Sequence, residues 1–157
     1  MNWKDAPVDD CSIRSLTRFT DDRGWLAELF RKDELPAPGY PAMGYLSVTH
    51  PGIARGPHEH RYQTDLFIFF DGVVRLYLWD HRPDSPTCGH RQVIDLGAHN
   101  PSAVTVPPGV VHAYRNTGNQ DAMILNFPNR LYAGEGKAGP VDEIRHEDQT
   151  NHHFVMD

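Results

Sequence analysis

Arg55-Gly56-Pro57-His58-Glu59-His60, running on to Asp65 and Gly72, and Val106-Pro107-Pro108-Gly109-Val110-Val111-His112 are the stretches that decide the fold of this chain. His58 and His60 are separated by one residue, so on a strand their side chains leave the same face. The first stretch stands ahead of the apolar run from Leu66, and His112 stands behind a Pro-Gly turn. Each stretch sets histidine at the mouth of an expected β-hairpin, so three imidazoles and the Asp65 carboxylate can converge inside one small barrel. Such a cluster either holds a metal ion or moves protons on a bound substrate.

Working outward, Asp65-Leu66-Phe67-Ile68-Phe69-Phe70 and Val73-Val74-Arg75-Leu76-Tyr77-Leu78-Trp79 flank Asp71-Gly72. An Asp-Gly pair between two such runs predicts a hairpin. Tyr45–Thr49, Val93–Leu96, Ala103–Val106 and Ala122–Phe127 supply further short strands. Turn residues separate them every eight to twelve residues or so, the pattern of an all-β barrel or sandwich, and no long 3.6-period apolar pattern appears. Asp80–Thr87 reads as a loop, and Pro36, Pro38, Gly39 and Pro41 break regular structure. The expected organisation is one domain over 1–157: an N-terminal strand extension over 1–40, a barrel over about 41–130 and an irregular tail over 131–157. The pair His152-His153 in that tail reads as solvated surface.

Composition narrows the partners. Hydrophobic content of 39% and charged content of 23% suit a globular protein, and 13 Pro with 13 Gly point to many turns. A formal charge of -6 argues against nucleic acid or an anionic membrane as partner, because both need surplus Lys and Arg. No apolar run approaches the roughly 20 residues of a membrane span. Met1–Asp5 lacks the charged and apolar regions of a signal peptide, so a cytoplasmic protein is expected. Cys11 and Cys88 read as two reduced thiols.

His58, His60, Asp65 and Gly72, with Gly109, His112 and Asn116, resemble the two motifs of the cupin superfamily, with Asp65 where a Glu is usual. The resemblance implies an all-β cupin, a double-stranded β-helix or jelly-roll barrel. His58, His60, Asp65 and His112 make an N/O set suited to a divalent metal with open positions for substrate. They serve equally as metal-free acid–base and hydrogen-bonding groups, and the two readings stay open.

A second resemblance is narrower. Asp22-Arg23-Gly24-Trp25-Leu26-Ala27-Glu28-Leu29-Phe30 resembles a signature of the dTDP-4-dehydrorhamnose 3,5-epimerases. Arg55-Gly56-Pro57-His58 is similar to their Arg-Gly-Leu-His, and Val106–His112 to their second histidine segment. Asp80-x-Arg82-x-x-Ser85-Pro86-Thr87-x-Gly89 resembles the loop after their central hairpin, and Asn126–Tyr132 their tyrosine segment. The resemblance implies proton abstraction beside the ketone of a dTDP-4-keto-6-deoxyhexose in deoxysugar biosynthesis, by a 3,5-epimerase, a single-centre epimerase or a 3,4-ketoisomerase. His58 would be the base and Tyr132 the acid returning the proton. Arg23 and Arg55 would grip the diphosphate. Glu28, an aromatic such as Phe19 or Phe30, and His112 would complete the substrate site. No cofactor is required on that reading, and a homodimer is implied, with N-terminal residues reaching the neighbouring subunit.

Three departures from the family pattern matter. The family's C-terminal Ser-x-x-Asp segment, whose Asp pairs with the base, has no counterpart after Asp148. The family's Lys near the ketone falls where this chain reads Gln63-Thr64-Asp65, and His60 replaces a Gln. These changes keep an alternative alive: a metal-dependent cupin enzyme on another small polar substrate, with a divalent metal on His58, His60, Asp65 and His112, or a sugar-binding cupin without catalysis.

Overall fold

The computed structural model describes residues 2–35, 39–150 and 153–157. Pro36, Pro38 and His152, singled out above, lie outside these residues, while His153 is exposed. Thirteen short strands carry the described chain. They are β1 (Lys4–Asp5), β2 (Ser12–Ser15), β3 (Arg18–Asp21), β4 (Gly24–Ala27), β5 (Tyr45–Thr49), β6 (Ala54–Glu59) and β7 (Asp65–Phe69), then β8 (Val73–Asp80), β9 (His90–Gly97), β10 (Ser102–Val106), β11 (Val110–Asn116), β12 (Ala122–Asn126) and β13 (Ile144–Arg145). A six-stranded sheet of order β1-β9-β8-β11-β6-β13 faces a five-stranded sheet of order β2-β10-β7-β12-β5, and β3 and β4 form a separate hairpin. This is the all-β cupin barrel that the two histidine motifs imply.

The Asp71-Gly72 turn corrects one expectation. β7 pairs with β10 and β12, whereas β8 pairs with β9 and β11, so the turn is a corner between the sheets rather than a hairpin. Gly72 has φ 71°, and a Cβ there would lie 2.5 Å from the Ala122 Cβ. The Pro107-Pro108-Gly109 turn likewise carries the chain from β10 in one sheet to β11 in the other. Local turn chemistry was read correctly, but it does not say whether flanking strands pair with each other or part company.

Layering explains why β7 and β8 read as unbroken apolar runs. Phe67, Phe69, Val74, Leu76 and Leu78 fill the barrel with Leu96, Val104, Val110 and Ile124. The alternate residues Tyr77 and Trp79 pack outside the larger sheet beneath Phe154, with Trp3 and Met156 against them. Leu66 and Ile68 pack outside the smaller sheet with Leu16, Leu29, Phe30 and Phe127. Both faces of each central strand are therefore covered, and alternation disappears. Burying each such side chain contributes about 1.5–3 kcal/mol.

The ends of the chain are built into this scheme. β1 joins β9 in parallel and β2 joins β10 antiparallel, so the N-terminal extension lengthens both sheets. The tail read as irregular also docks: Ile144 and Arg145 of β13 pair with Glu59 and His58 of β6. The backbone N–H groups of His146 and Glu147 both donate to the Pro57 carbonyl. With no alternating run around it, a two-residue strand of this kind leaves no periodic signal.

Candidate active site

A cavity of about 490 Å³ opens at one end of the barrel, lined among others by Arg55, His58, His60, Gln63, Tyr132 and Glu147. Gly56 makes its floor possible. Its φ is 83°, and a Cβ there would lie 2.6 Å from the His112 carbonyl oxygen and 3.0 Å from His58 Nδ1. Only glycine lets β6 run this close to β11 and set the His58 ring 4.4 Å from the His112 ring. His60 completes the group at 5.7 Å from each of the other two rings.

Asp65 lies beneath the rings, 1% exposed, with Oδ2 3.1 Å from His60 Nε2 and 3.5 Å from His112 Nε2. Its other oxygen accepts hydrogen bonds from Gln63 and Asn126. Burial alone would raise the Asp65 pKa, but His60, His112 and Asn126 outweigh it and hold the carboxyl at about 2. His60 carries its Nδ1 proton toward the Asp142 carbonyl. Burial works against charge on that ring, yet Asp65 and the Asp142 carbonyl raise its pKa above that of free imidazole. His58 behaves in the opposite way. Burial, then the neighbouring His112 and His60, lower its pKa to about 2, so it stands neutral.

The carboxylate that the sequence failed to offer is Glu147. Its Oε2 lies 3.8 Å from His58 Nδ1, delivered by β13. Burial raises the Glu147 pKa despite the opposing Arg145 guanidinium. Arg145 itself lines the cavity and pairs with Glu143 at 2.8 Å. Neither residue was legible as a site residue, because the register of β13 against β6 selects them.

Of the expected site residues, the structure gathers His58, His60, Asp65, His112, Arg55 and Tyr132 at one end of the barrel. Arg55 is held on the rim, donating to Thr49 Oγ1 at 3.1 Å and to the Val48 carbonyl at 2.9 Å. Tyr132 is exposed on the cavity wall, whereas His112 is buried behind His58 and does not line the cavity. Arg23, Glu28 and Phe30 are not brought there within the same chain. Arg23 is 87% exposed and paired with Asp21 on the β3–β4 hairpin. Glu28 lies 3.6 Å from Arg31, and the Phe30 ring packs 5.1 Å from Phe127.

The donor set was also read as a metal site, and His58, His60 and His112 do offer ligand atoms within 4.8 Å of one another. His58 Nδ1 and His112 Nε2 are buried without hydrogen-bond partners. His60 is spoken for at both nitrogens, by the Asp142 carbonyl on one side and by Asp65 and Gln63 on the other. The four residues therefore offer both proton-transfer groups and the donor atoms of a divalent-metal site, with the Asp142 carbonyl placed behind His60 as such ligands often have it.

Residues 5–150 match the model of a protein family described as dTDP-4-dehydrorhamnose 3,5-epimerase. The chain belongs to that family. Among curated proteins it is similar to the probable low-salt glycan biosynthesis epimerase Agl13 of Haloferax volcanii, 33% identical over 126 residues, 80% of this chain and 81% of the relative. It is also similar to the spore coat polysaccharide biosynthesis protein SpsL of Bacillus subtilis, 34% identical over 125 residues, 80% of this chain and 82% of that one. Among solved structures it shares the fold of a dTDP sugar isomerase from Desulfovibrio desulfuricans, with a TM-score of 0.78 and 23% identity over 91% of this chain and 87% of the other. Family membership makes the chain an isomerase of the nucleotide-sugar epimerase class, working by proton abstraction beside a sugar ketone, as the second, narrower resemblance implied. Among the described residues, no helix is long and apolar enough to cross a membrane.

Proposed function

We propose that the chain epimerises a dTDP-linked 4-keto-6-deoxyhexose, with His58 as base and Tyr132 as acid, for a deoxysugar destined for a glycan or polysaccharide. The observation that carries this reading is the His58–Glu147 contact of 3.8 Å at the cavity wall, which restores a carboxylate to the base. His58 takes the proton from the carbon beside the ketone, leaving an enolate. The Glu147 carboxylate stabilises the imidazolium that forms, as an orienting carboxylate does for other histidine bases. Tyr132 then delivers its phenolic proton to the opposite face of that carbon, and the centre inverts.

The family's lysine is replaced in kind rather than lost. His60, kept prone to protonation by Asp65, supplies positive charge at the cavity floor for the developing oxyanion. Arg55 and Arg145 at the rim are placed for the diphosphate, through charge-assisted bonds. Arg23 and Glu28 serve the neighbouring subunit of a cytoplasmic homodimer, with the exposed β3–β4 hairpin as the arm, whereas Phe30 stays packed on Phe127 of its own chain. Exposure of Phe19, Trp25 and Leu26 on that hairpin supports this role. No metal is needed for these steps.

Solvent deuterium exchange tests the proposal. With dTDP-4-keto-6-deoxyglucose in deuterated buffer, the enzyme washes deuterium into C3, C5 or both, and His58→Ala loses the exchange while still binding dTDP. Exchange retained in that variant would reject His58 as the base.

A further inference from the structure

Glu59 sits between the two cavity histidines in sequence and faces the other way. On the outer face of β6 its carboxylate meets His81, from the loop after β8, and His146, which follows β13. Glu59 Oε1 lies 2.9 Å from His146 Nε2, and Glu59 Oε2 lies 3.0 Å from His81 Nε2. One ligand atom from each residue falls within 4.8 Å of the others. Glu59 is 7% exposed and His146 9% exposed, while His81 is half-buried at the open side. The Phe154 ring closes the inner side, 4.6 Å from the His146 ring and 5.5 Å from the His81 ring.

We propose that Glu59, His81 and His146 form a binding site for one divalent transition-metal ion, zinc by its donor set, that clamps the C-terminal segment to the barrel. Two imidazoles and one carboxylate are a three-ligand zinc set, with a fourth position left for water. Metal–ligand bonds of about 2 Å in a tetrahedron need ligand atoms roughly 3.3 Å apart; the two Glu59–His distances, 2.9 and 3.0 Å, are close to that, and the two imidazoles lie within 4.8 Å of each other. The three ligands come from three separate chain segments, so an ion there ties β6, the loop after β8 and the tail together. His146 is bonded through its backbone to Pro57 and directly precedes Glu147. An ion on His146 therefore fixes the residue that brings Glu147 to His58. The site itself stands apart from the catalytic assignment, and only this last consequence rests on it.

The test uses the full chain, stripped with chelator and returned to metal-free buffer. It is titrated with zinc chloride by calorimetry and with cobalt chloride while visible absorption is read. One zinc per chain is expected, together with the visible bands of low-coordinate cobalt. A zinc excess of about 100-fold over Kd is expected to raise Tm by about 5–10 °C. His81→Gln, altered at a half-exposed position where the fold tolerates it, weakens zinc binding by at least about tenfold, whereas His58→Gln in the cavity leaves it unchanged. Absence of zinc and cobalt binding to the unaltered chain overturns the proposal, as does binding that survives His81→Gln but is lost in His58→Gln. Loss of deuterium exchange in His58→Ala bears on the catalytic reading alone, so the two can fail separately.

Discussion

Two histidine clusters stand back to back across β6, and they are built on different terms. On the cavity side, His58 Nδ1 and His112 Nε2 are buried without hydrogen-bond partners, and Asp65 Oδ2 has only the His60 ring at 3.1 Å and the His112 ring at 3.5 Å. On the outer side, both oxygens of Glu59 are met by the Nε2 atoms of His81 and His146. Burying polar atoms unpaired costs about 1–3 kcal/mol each, so a fold keeps them where they are used. The cavity cluster is frustrated and suited to proton transfer. The outer cluster is satisfied and suited to holding the chain in place.

Breaking the cavity side produces the largest effect. His58→Ala is expected to lower kcat by about 10³-fold or more, with dTDP affinity within about twofold of the parent, measured by turnover and by calorimetry. Gly56→Ala attacks the same side through the backbone. The added methyl meets the His112 carbonyl at 2.6 Å with φ at 83°, so β6 must move off β11. A loss of about 2 kcal/mol or more in urea unfolding is expected, along with a comparable fall in activity. An alanine variant as stable and active as the parent would show that the close approach of the two strands is not what assembles the histidines.

The contrast between the two sides also marks what was legible in the sequence. The cavity histidines announce themselves because His58 and His60 alternate on one strand and His112 follows a Pro-Gly turn. The barrel follows from the same motifs and from short apolar runs set between turns. What stayed hidden depends on sheet assignment and register. Asp71-Gly72 specifies a tight turn whether or not its strands pair, and only the two covered faces of β7 and β8 decide that they part. Glu147 and Arg145 become site residues only once Arg145 is set opposite His58, a pairing held by two strand residues and two bonds to Pro57. Glu59, flanked by the two histidines, was read past because its side chain serves the opposite face.

Glu147→Gln sharpens the comparison at the point where the two clusters meet. The amide keeps the shape and removes the charge that supports the His58 imidazolium. A fall in kcat of about 10- to 100-fold with KM nearly unchanged is expected, partly restored in Glu147→Asp. An equal rise in KM would instead assign Glu147 to substrate binding.

Within and between the two clusters, individual histidines answer pH with opposite signs. The folded-state pKa values of His58 and His112 are lowered from the unfolded 6.5, so below that value the unfolded chain binds protons that the folded chain refuses. Stability on the cavity side therefore falls with pH below about 6.5, by up to about 1.4 kcal/mol per pH unit for each group. His60 and His81 have raised values, so what they contribute is present below 6.5 and is lost as pH rises through their folded values. Tm is expected to peak near pH 6.5, with an acid-side slope that flattens in His58→Gln and persists in His81→Gln. An acid slope unchanged by His58→Gln would break the assignment.

The smallest expected effect tests whether the cavity is finished by its own chain. Arg23 lies on the surface, paired among the described residues with Asp21 of its own turn, and its removal should leave stability nearly unchanged. If the β3–β4 hairpin reaches a second copy, Arg23→Ala nevertheless weakens dTDP binding by about tenfold, the worth of one charge-assisted phosphate contact. Mixing this variant with His58→Ala separates the cases. In a homodimer that exchanges hairpins, each variant carries one intact half of the site, so mixed dimers regain one full-affinity active centre that neither parent has. Two independent chains would show the average of the parents and no recovery, which would confine the site to the barrel that carries His58.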